Sequence, residues 1–321
     1  MVGISALFSL TTSTITEENK ESDASVVIPR SVNYFISRKC NYSCKFCFHT
    51  AKTSHSLPIE ESAKGLRLLK DAGCEKINFA GGEPYLHPIL LGELCQVASE
   101  ELGMAVSIIS NGSLISNEWM EMYAKYVDVL GVSVDSFQPE TNANIGRGGD
   151  ANNEHVQRML QVRDLCTKHD VLFKLNTVVN SLNWEEDMNS QIAELDPYRW
   201  KVFQVLLLDG ENTGSEGELG DARDLCIGRR EFDSFVGRHS NRKQLIPEPN
   251  DVMQNSYLLL DEDMKFLDCS GGGKVPGRSI LDVGVEALSD AGFDHRMFHE
   301  RGGVFEWRRP RLIDVLNLHN V

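Results

Sequence analysis

Three cysteines fall within eight residues, Cys40-Asn41-Tyr42-Ser43-Cys44-Lys45-Phe46-Cys47, at spacing C-x3-C-x2-C. Thiolates are the usual protein ligands of iron–sulfur clusters. A cube of the [4Fe–4S] type held by a cysteine triplet keeps one iron without a protein ligand, open to bind a small molecule directly. The plainer reading is a zinc site in which His49 is the fourth ligand beside Cys40, Cys44 and Cys47. Spacing alone leaves both open.

A second chemistry lies in the β-rich runs. Alternate residues of a strand share a face. Asn33, Phe35 and Ser37 go together, as do Lys76, Asn78 and Ala80; Lys174, Asn176 and Val178; and Arg199, Lys201 and Phe203. The intervening residues, Ile77, Phe79, Phe173, Leu175, Trp200 and Val202, are apolar and suit a helix-covered side. Lys76, Lys174, Arg199 and Lys201 are therefore expected to point inward, where a cation is costly without an anionic partner. The partner expected is a polyphosphate, gripped by charge-assisted hydrogen bonds. Each cation taken singly has a blander place, at a strand end reaching solvent.

Six strand–helix alternations position these groups between Ser31 and about Gly210. The strands are expected at 31–37, 75–80, 105–110, 127–134, 171–179 and 199–208. Helices are expected at 58–72, 88–102, 117–126, through Val156 to Cys166, and at 184–195. Parallel βαβ units follow. Eight would close a TIM barrel; six leave it open. The fold class is α/β, a partial (βα)6 TIM-like barrel with a C-terminal α+β extension covering the open mouth. Residues 1–27 read as a disordered leader, 28–210 as the barrel and 211–321 as the extension that completes the substrate pocket. Ligands of such sheets bind at the C-terminal ends of the strands. The cysteine loop, Gly81-Gly82-Glu83-Pro84, Asn111-Gly112 and Asp135-Ser136 all follow strand ends.

The composition bounds the function. The chain has 321 residues, 41% hydrophobic and 25% charged, with a formal net charge of −15. That charge argues against non-specific nucleic-acid binding. No apolar run is long enough to span a bilayer, and no clear membrane-anchoring helix is present. The remaining cysteines, Cys74, Cys95, Cys166, Cys226 and Cys269, are scattered and read as free thiols of a reducing compartment, the cytoplasm.

The cysteine triplet and the Gly-Gly-Glu-Pro turn one unit later resemble the radical S-adenosylmethionine (SAM) superfamily. The resemblance is closest to the viperin family. It is carried by Cys40 to Ser54, Lys76-Ile77-Asn78-Phe79-Ala80-Gly81-Gly82-Glu83-Pro84, Ser110-Asn111-Gly112-Ser113, Ile145-Gly146-Arg147-Gly148, Arg199 to Gln204, Ser256 to Glu262 and Ser279 to Val285, and spans about Pro29 to Trp307.

The resemblance implies a [4Fe–4S] cluster on Cys40, Cys44 and Cys47. It implies SAM chelating the open iron, with Phe46, Gly81, Gly82, Glu83, Asn111, Ser133 and Arg147 around SAM. It implies an antiviral enzyme converting CTP to a 3′-deoxy-3′,4′-didehydro nucleotide, with UTP as the alternative. A deoxyadenosyl radical takes the ribose C4′ hydrogen, and the 3′-hydroxyl leaves as water. The substrate positions are Asn33, Lys76, Arg147, Lys174, Asn176, Arg199, Lys201 and Tyr257, with Tyr257 a candidate proton and electron donor. An electron donor and an iron–sulfur delivery machinery are the implied partners. Animal members carry a long amphipathic N-terminal helix and a C-terminal Trp; this chain starts with a shorter, more polar stretch and ends His319-Asn320-Val321, so a soluble protein and a different mode of cluster delivery are expected. The competing readings are a radical SAM enzyme of another anionic metabolite and a zinc-stapled scaffold.

Overall fold

Strand alternation of apolar and polar residues builds one sheet whose two faces have opposite chemistry. The computed structural model describes residues 28–148, 154–253 and 255–308. The expected leader at 1–27 and the chain end beyond 308 lie outside the described residues.

Ten strands form the sheet: β1 Ser31–Phe35, β2 Lys76–Ala80, β3 Ala105–Ser110, β4 Val129–Ser133, β5 Leu172–Val179, β6 Arg199–Gln204, β7 Leu245–Glu248, β8 Leu258–Leu260, β9 Lys265–Asp268 and β10 Val275–Ser279. Their order is β10-β9-β8-β1-β2-β3-β4-β5-β6-β7. Strands β1 to β6 pair in parallel with their sequence neighbours. This is the expected arrangement, and the extension adds to it. Strand β7 continues the parallel array beyond β6, and β8 joins β1 in parallel at the other edge. Strands β7 and β8 are the two ends of the parallel array and do not neighbour each other in the sheet, so the barrel stays open between them. Strands β7 and β10 are the ones the periodicity does not reveal: Leu245-Ile246-Pro247-Glu248 is short and contains proline, and Val275-Pro276-Gly277-Arg278-Ser279 contains proline and glycine.

The helices are α1 Ile59–Asp71, α2 Pro88–Gln96, α3 Asn117–Tyr123, α4 Pro139–Ile145, α5 Glu154–Lys168, α6 Asn189–Leu195 and α7 Arg229–Arg238, with short turns of helix later. Pro88 and Pro139 occupy first-turn positions, where the missing N–H is not needed. Helix α4 ends on Gly146 at φ 87°, a left-handed stop. The helix expected at 184–195 is confined to α6, because Asn180 and Asn183 hold the preceding residues in turns: the Asn183 carboxamide donates to the carbonyl oxygens of Asp135 and Val178.

The core lies between the helices and the outer sheet face. Val32, Tyr34, Ile77, Phe79, Val106, Ile108, Leu130, Val132, Phe173, Leu175, Trp200 and Val202 are buried there. The inner face holds a separate small cluster of Phe35, Ala80 and Leu267. The inner residues Ser107 and Gly131 are small. A Cβ on Gly131 would lie 2.6 Å from Ile109 Cδ1 and 3.6 Å from Lys174 Cδ, so glycine leaves the lumen room for the lysine stem.

Candidate active site

The lumen is layered along the strands. Lys174 pairs in register with Arg199 on neighbouring strands, Asn176 with Lys201, and Asn33 with Asn78. Lys76 starts β2, and Ala80 ends it. At ~3.3 Å per residue the two ends are ~13 Å apart. The cysteine loop follows the far end of β1. The cations thus occupy the N-terminal half of the lumen, and the cysteines cap the other half.

Lys76, Lys174 and Lys201 are all buried, with Arg199 half-buried. Burial first, then repulsion from Lys201, Arg301 and Arg199, pushes Lys76 down to about 7. Burial and the neighbouring Lys201 and Lys76 push Lys174 well below the usual lysine range. Burial lowers Lys201 to about 8 against the pull of Glu248. These directions identify cations held at a cost.

Glu248 is fully buried and pairs with the Lys201 ammonium. Burial opposes its charge, yet Lys201 and Arg301 hold the carboxyl below its usual range. Tyr257 donates its O–H to Glu248 and accepts from Lys201 Nζ at 2.9 Å. Burial and the Glu248 charge push the phenol well above 10. The Arg301 guanidinium lies 3.7 Å from the centroid of the Tyr257 ring and 3.8 Å from Glu248 Oε1. It also donates to the Ser256 carbonyl at 2.9 Å. The site therefore gathers five cationic side chains, Lys76, Lys174, Arg199, Lys201 and Arg301, around one carboxylate among the described residues. Asn33 takes a hydrogen bond from Asn78 at 2.6 Å and donates to Leu258 O at 3.2 Å. Asn176 Oδ1 and Arg199 Nε are buried without a partner.

The cysteine end is built by close loop contacts. Gly81 has φ 146°, and a Cβ there would lie 2.4 Å from the Ser37 carbonyl; one on Gly82 would lie 2.2 Å from that of Lys39. The turn after β2 thus lies flush on the run into the cysteines, which accounts for both glycines by packing. Glu83 is buried and accepts from Asn111 N at 2.7 Å, Ser110 Oγ at 2.8 Å and Tyr85 N at 3.1 Å. Burial still raises its carboxyl to about 7. Asn111 accepts from Ser113 N at 2.9 Å and donates to Asn41 Oδ1 at 2.9 Å, tying the β3 turn to the cysteine loop. Arg147 pairs with buried Asp135, with its guanidinium 5.9 Å from the Phe46 ring. The structure puts Arg147 at the cysteine end, away from the lysine layers. Ser133 ends β4, across from Asn176 in the sheet register.

Cys40, Cys44 and Cys47 are free thiols. Burial raises all three, Cys44 to about 12. The Arg147 charge works against this at Cys44, and that of Lys274 at Cys47. Desolvated thiols that ionise poorly alone are the donors a metal converts to thiolates. They suit a cube, in which each cysteine holds a different iron. His49 is engaged elsewhere, with Nδ1 2.8 Å from Lys274 Nζ and Nε2 3.7 Å from Glu262.

Beside the cysteine loop lies a charged cluster that sequence reasoning does not find. Glu211 accepts from Thr50 N at 2.9 Å and Thr50 Oγ1 at 2.6 Å, and pairs with Arg38 at 3.0 Å and Lys274 at 2.8 Å. Glu262 meets Arg38 Nε at 3.1 Å. Asn212 donates to the Phe46 carbonyl at 3.0 Å. A surface cleft of about 640 Å³ between α3 and α5 is lined by residues such as Arg158 and Lys168, and reaches the site only through Ser113 at its edge.

Comparison with known proteins agrees with the geometry. Residues 34–186 match the radical SAM superfamily. The chain is 51% identical over 285 residues to the S-adenosylmethionine-dependent nucleotide dehydratase RSAD2 of Oncorhynchus mykiss, covering 88% of this chain and 81% of the relative. It is 34% identical to the S-adenosylmethionine-dependent nucleotide dehydratase of Flammeovirga pacifica, covering 90% of this chain and all of the relative. Among solved structures, Streptococcus suis SuiB bound to S-adenosylmethionine superposes with a TM-score of 0.62 at 17% identity, covering 86% of this chain and 67% of that one. That likeness concerns the fold.

Proposed function

The chain belongs to the S-adenosylmethionine-dependent nucleotide dehydratases of the radical SAM superfamily, and we propose that its substrate is a nucleoside triphosphate, CTP in first place and UTP as the alternative. It is an enzyme that uses SAM and a [4Fe–4S] cluster. The product proposed is the chain-terminating, antiviral 3′-deoxy-3′,4′-didehydro nucleotide. One observation carries the substrate class: five basic side chains surround one buried carboxylate, and Lys76 and Lys174, which have no carboxylate partner among the described residues, need an anion to hold their charge. A phosphate chain does so with charge-assisted hydrogen bonds.

Cys40, Cys44 and Cys47 would hold the cluster, which together with SAM would supply a radical able to take hydrogen from carbon. Gly81, Gly82, Glu83, Asn111, Ser133, Arg147 and Phe46 surround SAM. Lys76, Lys174, Arg199, Lys201 and Arg301 hold the phosphates in the N-terminal half of the lumen, while Asn33 and Asn176 flank the sugar. With phosphates low and cysteines high, the ribose lies between them, a positioning contribution to the rate. Tyr257 holds a proton on its hydroxyl, with Lys201, which donates to the phenol oxygen, as the neighbour able to replace it. That proton suits departure of the 3′-hydroxyl as water.

The barrel is assigned to 28–210 and the pocket-completing extension to 211–321, since Glu248, Tyr257 and Arg301 all lie in the latter. Among the described residues no helix is long and apolar enough to cross a membrane. An electron donor and an iron–sulfur delivery system in a reducing compartment, the cytoplasm, complete the reading.

The test is incubation of reconstituted protein, reductant and SAM with each of the four common ribonucleoside triphosphates. CTP or UTP should stimulate 5′-deoxyadenosine formation and be dehydrated. Stimulation by none of them rejects the substrate class.

A further inference from the structure

The segment from Arg301 to Trp307 crosses the N-terminal end of the lumen, and we propose that Phe305 and Trp307 form an aromatic floor that makes the site selective for the number of phosphates on its nucleotide. The inference rests on the nucleoside triphosphate reading and names the part of the site that measures the chain.

The Phe305 ring centroid lies 3.8 Å from the Arg199 guanidinium carbon. Lys76 Nζ lies 5.1 Å from the same ring and 5.7 Å from that of Trp307. The two rings meet edge-on at 6.0 Å. Trp307 is buried with Ala105 and Phe298, and Arg30 covers its ring at 5.8 Å. Three ties hold the segment against the starts of the strands. Tyr198, just before β6, donates to the Glu306 carbonyl at 3.2 Å. Arg308 donates to the carbonyl of Gly103, just before β3. Arg30, before β1, makes a two-pronged pair with Glu75 at 2.7 and 2.8 Å while it lies on Trp307.

Two consequences follow for a phosphate chain. The stacked ring fixes the plane of the Arg199 guanidinium and occupies one of its faces, leaving its edge, with the unpartnered Nε–H, for a terminal phosphate. Beyond that point the wall is the carbon of the Phe305 ring, beside Trp307, whose indole N–H is buried without a partner. A further phosphate would press its charge against the Phe305 ring, which offers it no compensating hydrogen bond. A chain one phosphate short fails to reach the Lys76 and Arg199 level. Length is thus discriminated from both sides, by a missing contact and by an unsatisfied charge, and the excluding element is separable from the gripping one.

The experiment is equilibrium binding to full-length, cluster-loaded protein with SAM and no reductant, using cytidine and uridine di-, tri- and tetraphosphates. Wild type should bind the triphosphate at least tenfold tighter than either other length. Phe305→Ala/Trp307→Ala should bring the tetraphosphate to within threefold of the triphosphate while the diphosphate stays weak. Phe305→Leu keeps the apolar bulk and removes the ring. It should still reject the tetraphosphate but bind the triphosphate severalfold more weakly, and it stands in if the double variant does not fold. Equal wild-type affinity for tri- and tetraphosphate, or an unchanged ratio in the double variant, overturns the floor alone. Failure of wild type to bind any of these nucleotides overturns the triphosphate reading and the floor with it.

Discussion

Two groups of buried charges sit at opposite ends of one barrel, and they are built differently. At the cysteine end, Glu211 and Glu262 are met by Arg38 and Lys274, with Thr50 completing the hydrogen bonds. Burial opposes the charge on Glu211, but Lys274, only 2.8 Å away, brings the carboxyl down to about 2. In the other half, Lys76 and Lys174 have no carboxylate partner among the described residues, and their ammonium groups are pushed toward neutrality. A balanced buried network holds loops together; an unbalanced one waits for a counter-charge. The sign of the imbalance names the ligand.

Breaking the balanced end should have the largest effect on stability. Glu211→Ala leaves buried Lys274 without a carboxylate partner and Arg38 with Glu262 alone, and should cost about 3 kcal/mol of unfolding free energy, read by chemical denaturation. Nucleotide affinity of the folded fraction should stay within about twofold, since its charges lie in the other half. Equal losses of stability and affinity would mean that the two ends are one network.

The unbalanced end should respond the opposite way. Lys174→Met should weaken triphosphate binding by roughly 10- to 100-fold, the worth of one hydrogen bond to a charged group at about 1.5–3 kcal/mol. The same variant should unfold no more easily than wild type, because it relieves repulsion. A fall in stability with unchanged affinity would remove Lys174 from the phosphate site.

The pH dependence sharpens the contrast. The usual lysine value is 10.5, and Lys76 and Lys201 lie at about 7 and about 8 in the ligand-free fold. Between those values the unfolded chain binds more protons than the folded one, so these lysines destabilise fully below pH ~7 and less as pH rises toward ~10. A phosphate chain restores their charge. Triphosphate binding at pH 8 should therefore take up protons, measured by calorimetry in buffers of different ionisation enthalpy, and affinity should fall as pH rises from 7 to 9. Glu211 runs the other way. Its contribution is complete above its usual value of 4.5 and lost as pH falls toward about 2, so the difference between wild type and Glu211→Gln should shrink in acid.

The smallest effect is expected from salt. Raising ionic strength should reduce triphosphate affinity only a few-fold, because the cations are buried and weakly screened. A steep salt dependence would place the phosphates at the surface.

The strand faces explain how much of this is legible in the sequence. Period-two alternation by itself puts Lys76, Lys174, Arg199 and Lys201 inside, because strand geometry fixes which side chains share a face. The glycines at 81 and 82 are legible as a turn, but their reason is not: they abut the Ser37 and Lys39 carbonyls, a tertiary contact. Glu248, Arg301, Phe305 and Trp307 escape because they lie on a four-residue strand and an irregular segment, where no period exists. Glu300-Arg301-Gly302-Gly303 reads locally as an exposed loop, yet the guanidinium is buried against Tyr257. Glu211 sits in a Gly- and Glu-rich run whose composition gives no hint of three cationic neighbours.

The most direct test of the central claim is the binding of CTP and of cytidine to the same preparation, measured side by side by calorimetry. If the excess lumen charge grips phosphates, CTP should bind at least a thousandfold more tightly than cytidine, and Lys174→Met should weaken CTP while leaving cytidine unchanged. Equal affinity for the two, or a loss that Lys174→Met imposes on both alike, would contradict it.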